Sequence, residues 1–185
     1  MGRTDFISAN NLWSDRDFSE AERVARLIKD NGLEVIRLSY PDQHGILRGK
    51  TIMAGEIEQA LRNGCAITTT LLAKDTSHTT VFPVFSPGGG FGIPEMENAG
   101  DFIAVPVPTT FRLLPWAPGT GWVLCDGYLA NGEPVPFSTR QVLKNAISSL
   151  EERGFDYVAG IEVECHIYRL EDPMLQPEDA GQPAN

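Results

Sequence analysis

The stretch Gly160-Ile161-Glu162-Val163-Glu164-Cys165-His166-Ile167 alternates residue by residue. In an extended chain Glu162, Glu164 and His166 share one side, and Ile161, Val163, Cys165 and Ile167 share the other. Residues two apart on a strand lie at roughly 6.5–7 Å. Two carboxylates at that spacing can flank one divalent cation, or hold one cation each of a pair. Hard ions such as Mg2+ take oxygen donors in an octahedral shell, so Glu-x-Glu supplies part of such a site and other donors must complete it. The same alternation is also what any half-buried strand presents when its polar side faces water, and the pattern alone does not separate the two.

The elements that must position these residues follow from periodicity and stop signals. Ser19 as N-cap with Glu22 three residues on predicts a capping box; Val24, Leu27 and Ile28 continue at helical spacing, and Gly32 ends the helix. Residues 33–40 and 46–53 read as strands joined by the turn Pro41-Asp42-Gln43-His44-Gly45, a hairpin. A short helix over 55–64, a β-rich run over 65–72, an irregular stretch over 73–100, and strands over 101–106 and 121–128 come next. Ser138 with Gln141 predicts a second capping box, followed by Val142, Leu143, Ala146, Ile147 and Leu150 on one face and a stop at Gly154. Residues 157–170 read as a strand.

This order predicts an α+β fold. Residues 1–17 form an arm, 18–132 a domain, and 133–185 the start of a second unit. One helix and one strand cannot bury both their faces, so that unit is incomplete by itself.

Composition narrows the partners. The 185 residues carry 25 acids against 15 bases, a formal charge of -10, which disfavours a phosphate backbone or an anionic membrane as ligand. With 42% hydrophobic residues the chain can build a core. Cys65, Cys125 and Cys165 are widely spaced without C-x-x-C, which predicts neither a disulfide framework nor a zinc site; Cys65 and Cys165, among apolar neighbours, are expected as buried thiols. The N-terminus lacks an apolar signal core and no apolar run is long enough to span a bilayer, so a cytoplasmic location is expected. Pro87-Gly88-Gly89-Gly90 lacks the lysine and the following helix of a phosphate loop and reads as a plain loop.

Several stretches, in order, resemble glutamine synthetase, the family of ATP-dependent ligases that join ammonia to glutamate. Asp42-Gln43-His44-Gly45-Ile46-Leu47-Arg48-Gly49-Lys50 is similar to its Asp-x-x-Gly-x-x-Arg-Gly-Lys hairpin. Leu114-Pro115-Trp116 and Leu124-Cys125-Asp126 resemble its Pro-Trp and Cys-Asp segments. Gly132-Glu133-Pro134 with Arg140 resembles the start of its catalytic domain, and Gly160-x-Glu162-x-Glu164 its metal-binding strand. The resemblance implies a β-grasp N-terminal domain followed by the first helix and strand of a truncated catalytic domain. It implies Mg2+ or Mn2+ at Glu162 and Glu164, ATP as co-substrate, and a γ-glutamyl phosphate intermediate.

It further implies that Asp75 is lent to the ammonium site of a neighbouring subunit in a ring-shaped homo-oligomer, and that Phe91 lies near the nucleotide. Glutamate and ammonia, or another amine, would be the remaining partners. Cys165 in place of an aromatic, Pro108-Thr109 in place of Pro-Asp, and Ser138-Thr139-Arg140 in place of Asp-Pro-Arg depart from the family pattern and leave the amine open. The isolated chain is expected to be inactive. The alternative expectation is a non-catalytic β-grasp module for assembly or binding.

Overall fold

The computed structural model describes residues 5–167 and 169. It is a mixed α/β structure built on a six-stranded sheet. Four α-helices, α1 (Phe6–Ala9), α2 (Asp15–Asp30), α3 (Ile57–Asn63) and α4 (Thr139–Glu151), accompany six strands. These are β1 (Val35–Pro41), β2 (Leu47–Met53), β3 (Cys65–Thr68), β4 (Asp101–Pro106), β5 (Arg112–Leu113) and β6 (Thr120–Tyr128). The sheet order is β2-β1-β6-β4-β3, with β5 also on β6. β1 and β6 run parallel, Leu38 opposite Val123, and every other pairing is antiparallel.

Alternation along the strands decides the core. Ile36, Leu38 and Tyr40 of β1, Val123 and Cys125 of β6, Phe102 and Ala104 of β4 and Ile67 of β3 face inward. Val24 and Ile28 of α2 and Ile57, Ala60 and Leu61 of α3 cover them. Burying such side chains contributes about 1.5–3 kcal/mol each relative to exposure. Cys125 lies in this layer, and burial, followed by the neighbouring Asp126 charge, pushes its thiol far above the ordinary range, so it stays protonated and inert. Cys65 is only half-buried and Cys165 is exposed, which corrects the expectation of buried thiols at both.

The helix expected from Ser19, α2, begins earlier than its sequence pattern suggests. Ser14, not Ser19, is the N-cap: the Ser14 side chain and Asp17 carboxylate satisfy each other's backbone N–H, and the Ser19 hydroxyl donates back to the Asp15 carbonyl within the helix. The segment before it is not loose throughout, since α1 places Ile7 in a fully buried position. The stop at Gly32 (φ +59°) holds.

The β1–β2 hairpin turns on Asp42, which is fully buried. Its Oδ1 accepts from the backbone N–H of His44 (2.8 Å) and Ile46 (3.0 Å), and its Oδ2 from Arg48 Nε (2.6 Å). Gly45 takes the positive φ (+76°) that the turn requires. At Gly49 a Cβ would stand 1.7 Å from the Leu38 carbonyl oxygen, so only glycine lets β2 approach β1 there. Lys50 Nζ donates to the Ala66 carbonyl (2.6 Å). Arg48-Gly49-Lys50 thus serves the hairpin itself. Burial favours the neutral form of Asp42, but the His44 N–H, the Arg48 guanidinium and the Ile46 N–H together outweigh it and hold the carboxyl below its usual range.

Beyond the sheet, α4 forms as expected but without its capping box: the Ser138 side chain makes no cap bond, and Gln141 turns to Asn145 (2.7 Å). None of its residues is buried, and Val142 and Leu143 are exposed. It is tied to the sheet by ion pairs to the nearly buried Asp126 of β6, from Arg140 (2.9 Å) and from Lys144 one turn on. The strand expected over 157–170 is not formed over its described part: 157–167 take no regular structure and are exposed throughout. Alternating side chains make a strand only where a neighbouring backbone completes the ladder.

Three outcomes follow from the buried acids Asp42 and Asp126. Asp42→Ala leaves Arg48 and two turn N–H groups without their acceptor and should cost about 3 kcal/mol in denaturant unfolding, the scale for breaking a buried pair; a change near zero would show that the clamp carries no stability. Because the folded-state pKa of Asp42 is depressed, its contribution is present above the ordinary carboxylate value of about 3.9 and is lost as pH falls below it. The wild-type thermal midpoint should therefore drop more steeply in that acid range than the midpoint of Asp42→Ala. Asp126→Asn should speed tryptic cleavage after Arg140 and Lys144 by about fivefold relative to cleavage after Arg37, equivalent to about 1 kcal/mol of lost pairing; equal relative rates would place the anchor of α4 elsewhere.

Candidate functional site

The turn held by Asp42 projects Gln43 and His44 toward two other segments. Gln43 Nε2 donates to the Phe137 carbonyl (2.7 Å), and His44 Nε2 lies 3.0 Å from the Lys74 carbonyl, so that nitrogen carries the proton. Arg48 Nη1 reaches His78 Nδ1 (3.2 Å) on an exposed loop position. The turn, the 73–81 loop and the segment before α4 are thereby joined.

Between them opens a cavity of about 550 Å³, lined by Gln43, His44, Ala73, Lys74, Asp75, Val81, Phe91 and Phe137. Asp75 and Phe91, singled out separately from the sequence, both line it. Asp75 is half-buried; its Oδ1 accepts from the N–H of Ser77 (2.8 Å) and Thr79 (2.9 Å), which fixes the carboxylate over its own turn. Lys74 Nζ donates to Thr80 Oγ1 (2.8 Å) across the same turn. Phe91 sits at φ +60°, uncommon for a bulky side chain. The residue is 56% exposed, and its ring centroid lies 5.0 Å from that of Phe82 and 5.9 Å from that of Phe137. A small buried cluster of Ala73, Phe82 and Met96, with Val84, Ile93 and Phe137 against it, supports this wall from behind.

The acidic pair is placed differently. Glu162, Glu164 and His166 lie on the exposed segment after α4, and neither glutamate lines the cavity of Asp75. Among the described residues no group of three or more His, Cys, Asp or Glu is assembled that could hold a metal ion. Two exposed carboxylates fall short of a six-donor shell, so these residues do not fit a divalent cation by themselves.

Gln43, His44, Val81 and Phe137 escaped the sequence reading as cavity residues. They come from three distant segments, and no periodicity marks them. Among the described residues, no helix is long and apolar enough to cross a membrane.

No family model matches the chain. It is 40% identical over 184 residues to the gamma-glutamylanilide synthase of Acinetobacter sp, covering 98% of this chain and 37% of the relative. It is 31% identical over 166 residues to the glutamine synthetase of Methanosarcina mazei, covering 86% of this chain and 33% of the relative. Among solved structures, apo GmaS superposes with a TM-score of 0.53 at 25% identity, over 70% of this chain and 26% of that one. The chain spans about a third of the length of the curated relatives it matches. Over that third, it is a homologue of the glutamine synthetase-family ligases.

Proposed function

We propose that this chain is the N-terminal portion of an ATP-dependent ligase that joins an amine to the γ-carboxylate of glutamate. The observation that carries this reading is its identity to gamma-glutamylanilide synthase along nearly its whole length. The Asp42–Arg48 clamp and the Asp126–Arg140 pair support it, because both link residues that the family motifs contribute. Residues 18–132 would be a β-grasp domain; its parallel β1–β6 pair, flanked by the β1–β2 hairpin and spanned by α3, is consistent with that fold. Residues 133–185 would begin the catalytic domain.

A carboxylate is a poor electrophile toward an amine, and phosphorylation by ATP to a γ-glutamyl phosphate converts one oxygen into a leaving group. Asp75 would receive the amine: its fixed carboxylate attracts an ammonium or accepts a hydrogen bond from a neutral amine, and takes up a proton as nitrogen attacks. A neighbouring subunit's active centre would be the place of that attack, which makes a ring-shaped oligomer part of the reading. Glu162 and Glu164 would supply two donors to a divalent-cation site that other residues complete.

The direct test is mass spectrometry of the longer protein bearing this chain, incubated with ATP, Mg2+, glutamate and an amine. The γ-glutamyl amide should accumulate in step with ADP. ADP and amide both absent would overturn the ligase and favour a non-catalytic assembly module. Calorimetry of the 185-residue chain with Mn2+ should show no tight stoichiometric site; a tight site abolished by Glu162→Ala would contradict the part-site assignment.

A further inference from the structure

A second cavity, of about 510 Å³, opens between α2 and α3 and shares no lining residue with the cavity of Asp75. Small-molecule sites occupy about 300–1,000 Å³, and this one falls within that range. Phe18, Ala21, Glu22 and Ala25 line it at i, i+3, i+4 and i+7 along α2, so one stripe of that helix faces it. Glu58, Leu61 and Arg62 line it from α3 at i, i+3 and i+4. Ala21 and Ala25 carry only methyl groups there, and the two helices do not fill the gap between them.

Trp13 and Phe18 supply aromatic wall. Their planes stand at 74° with ring centroids 5.4 Å apart, which makes a corner of two rings. The indole N–H of Trp13 is spent on the Pro106 carbonyl (3.2 Å), so this residue offers the cavity its hydrocarbon ring and no donor. Phe18 is 40% exposed at the same wall. The faces of such rings carry negative potential and attract a cation within about 6 Å of the centroid.

The charges in the lining favour the same kind of ligand. They are three acids, Asp5, Glu22 and Glu58, against one base, Arg62. Asp5 is already answered: hydrogen bonds from Ser8, its backbone N–H foremost, and then the Arg62 charge hold its carboxyl below the usual range against the opposing effect of burial. Glu22 is met only by Arg26 at 3.7 Å, a solvent-exposed pair of little strength. Glu58 has no hydrogen bond or ion pair among the described residues. Two carboxylates, one from each helix, therefore give the cavity a negative potential that its own residues do not neutralise.

We propose that this cavity binds an organic cation with an apolar shell, an alkylated ammonium, held between the Trp13–Phe18 corner and the carboxylates of Glu22 and Glu58. The rings meet the alkyl groups and the acids meet the charge, so the ligand needs no hydrogen-bond partner in the wall. A small metal cation would have to exchange its water shell for two exposed carboxylates and two rings, which is unfavourable. An anion would meet the acids. This site goes beyond the ligase reading above and does not rest on it.

The test is a chemical-shift titration of the 185-residue chain at neutral pH and constant ionic strength. The probes are choline, the uncharged alcohol in which carbon replaces the choline nitrogen, sodium and acetate. Choline should shift the Trp13 indole N–H and the amides of Phe18, Glu22 and Glu58, and leave the indole signals of Trp116 and Trp122 in place. The uncharged alcohol should bind about tenfold more weakly, and sodium and acetate should shift none of these signals. Phe18→Leu should weaken choline by about fivefold and Glu58→Gln by about threefold. Both side chains are exposed, and thermal melts check that each variant is folded.

Equal affinity for choline and the uncharged alcohol would reduce the cavity to an apolar groove and overturn the proposal. So would acetate shifting the same signals, which would assign the cavity to Arg62 and an anion. Choline shifts absent from Trp13, or choline affinity unchanged in both variants, would overturn it as well.

Discussion

A carboxylate with no exposure to water sits at the tip of the first hairpin, and the parts that surround the cavity are referenced to it. Burying Asp42 is costly unless its charge is met, and it is met by two backbone N–H groups and the Arg48 guanidinium. Those three donors leave the turn one shape. In that shape Gln43 and His44 point outward to the carbonyls of Phe137 and Lys74, while Arg48 reaches on to His78. An apolar residue at position 42 could fill the same space, but it could not dictate where its neighbours point. The Asp-x-x-Gly-x-x-Arg-Gly-Lys pattern is therefore explained without assigning it any chemistry: acid and arginine clamp, the first glycine turns, the second admits β1, and the lysine fastens β3.

A second buried acid repeats the device on a smaller scale. Asp126 holds α4 through Arg140 and Lys144, which lie one turn apart on the same helix face. With no buried residue of its own, α4 depends on charge where α2 and α3 depend on apolar contact. The apolar positions Val142 and Leu143 remain exposed, as do Ile161, Val163 and Ile167 beyond the helix. The acidic pair thus stands on an exposed segment without regular structure, while the cavity with Asp75 is lined by the hairpin turn, the 73–81 loop, Phe91 and Phe137.

Much of the architecture was legible because local signals and tertiary structure agree. The hairpin, the strand over 101–106, the helix after Ser138 and the stop at Gly32 each follow from turn chemistry or periodicity. The helix start did not: two Ser-x-x-acid patterns lie five residues apart, and Ser14 prevails because helix continues upstream of Ser19. The alternating run over 157–170 told which side chains would share a face, yet nothing local says whether a second strand is present to pair with it. The cavity was the least legible part. Asp75 and Phe91 were reached through resemblance, as members of different sites, and only the fold brings them to one wall. Their companions Gln43, His44, Val81 and Phe137 are joined by hydrogen bonds and ring contacts between segments up to 94 residues apart, which no window of sequence can display.

The central claim is that the buried turn carboxylate sets the geometry of the remote cavity walls, and amide hydrogen exchange of Asp42→Asn at neutral pH tests it most directly. The substitution keeps an acceptor for the turn and removes the charge that holds Arg48. Exchange should quicken together at the turn, at Ala73, Asp75 and Val81, and at Phe91, while Val24 and Ile28 in the core of α2 keep their protection. Faster exchange confined to the turn, with the 73–81 loop and Phe91 unchanged, would contradict the account.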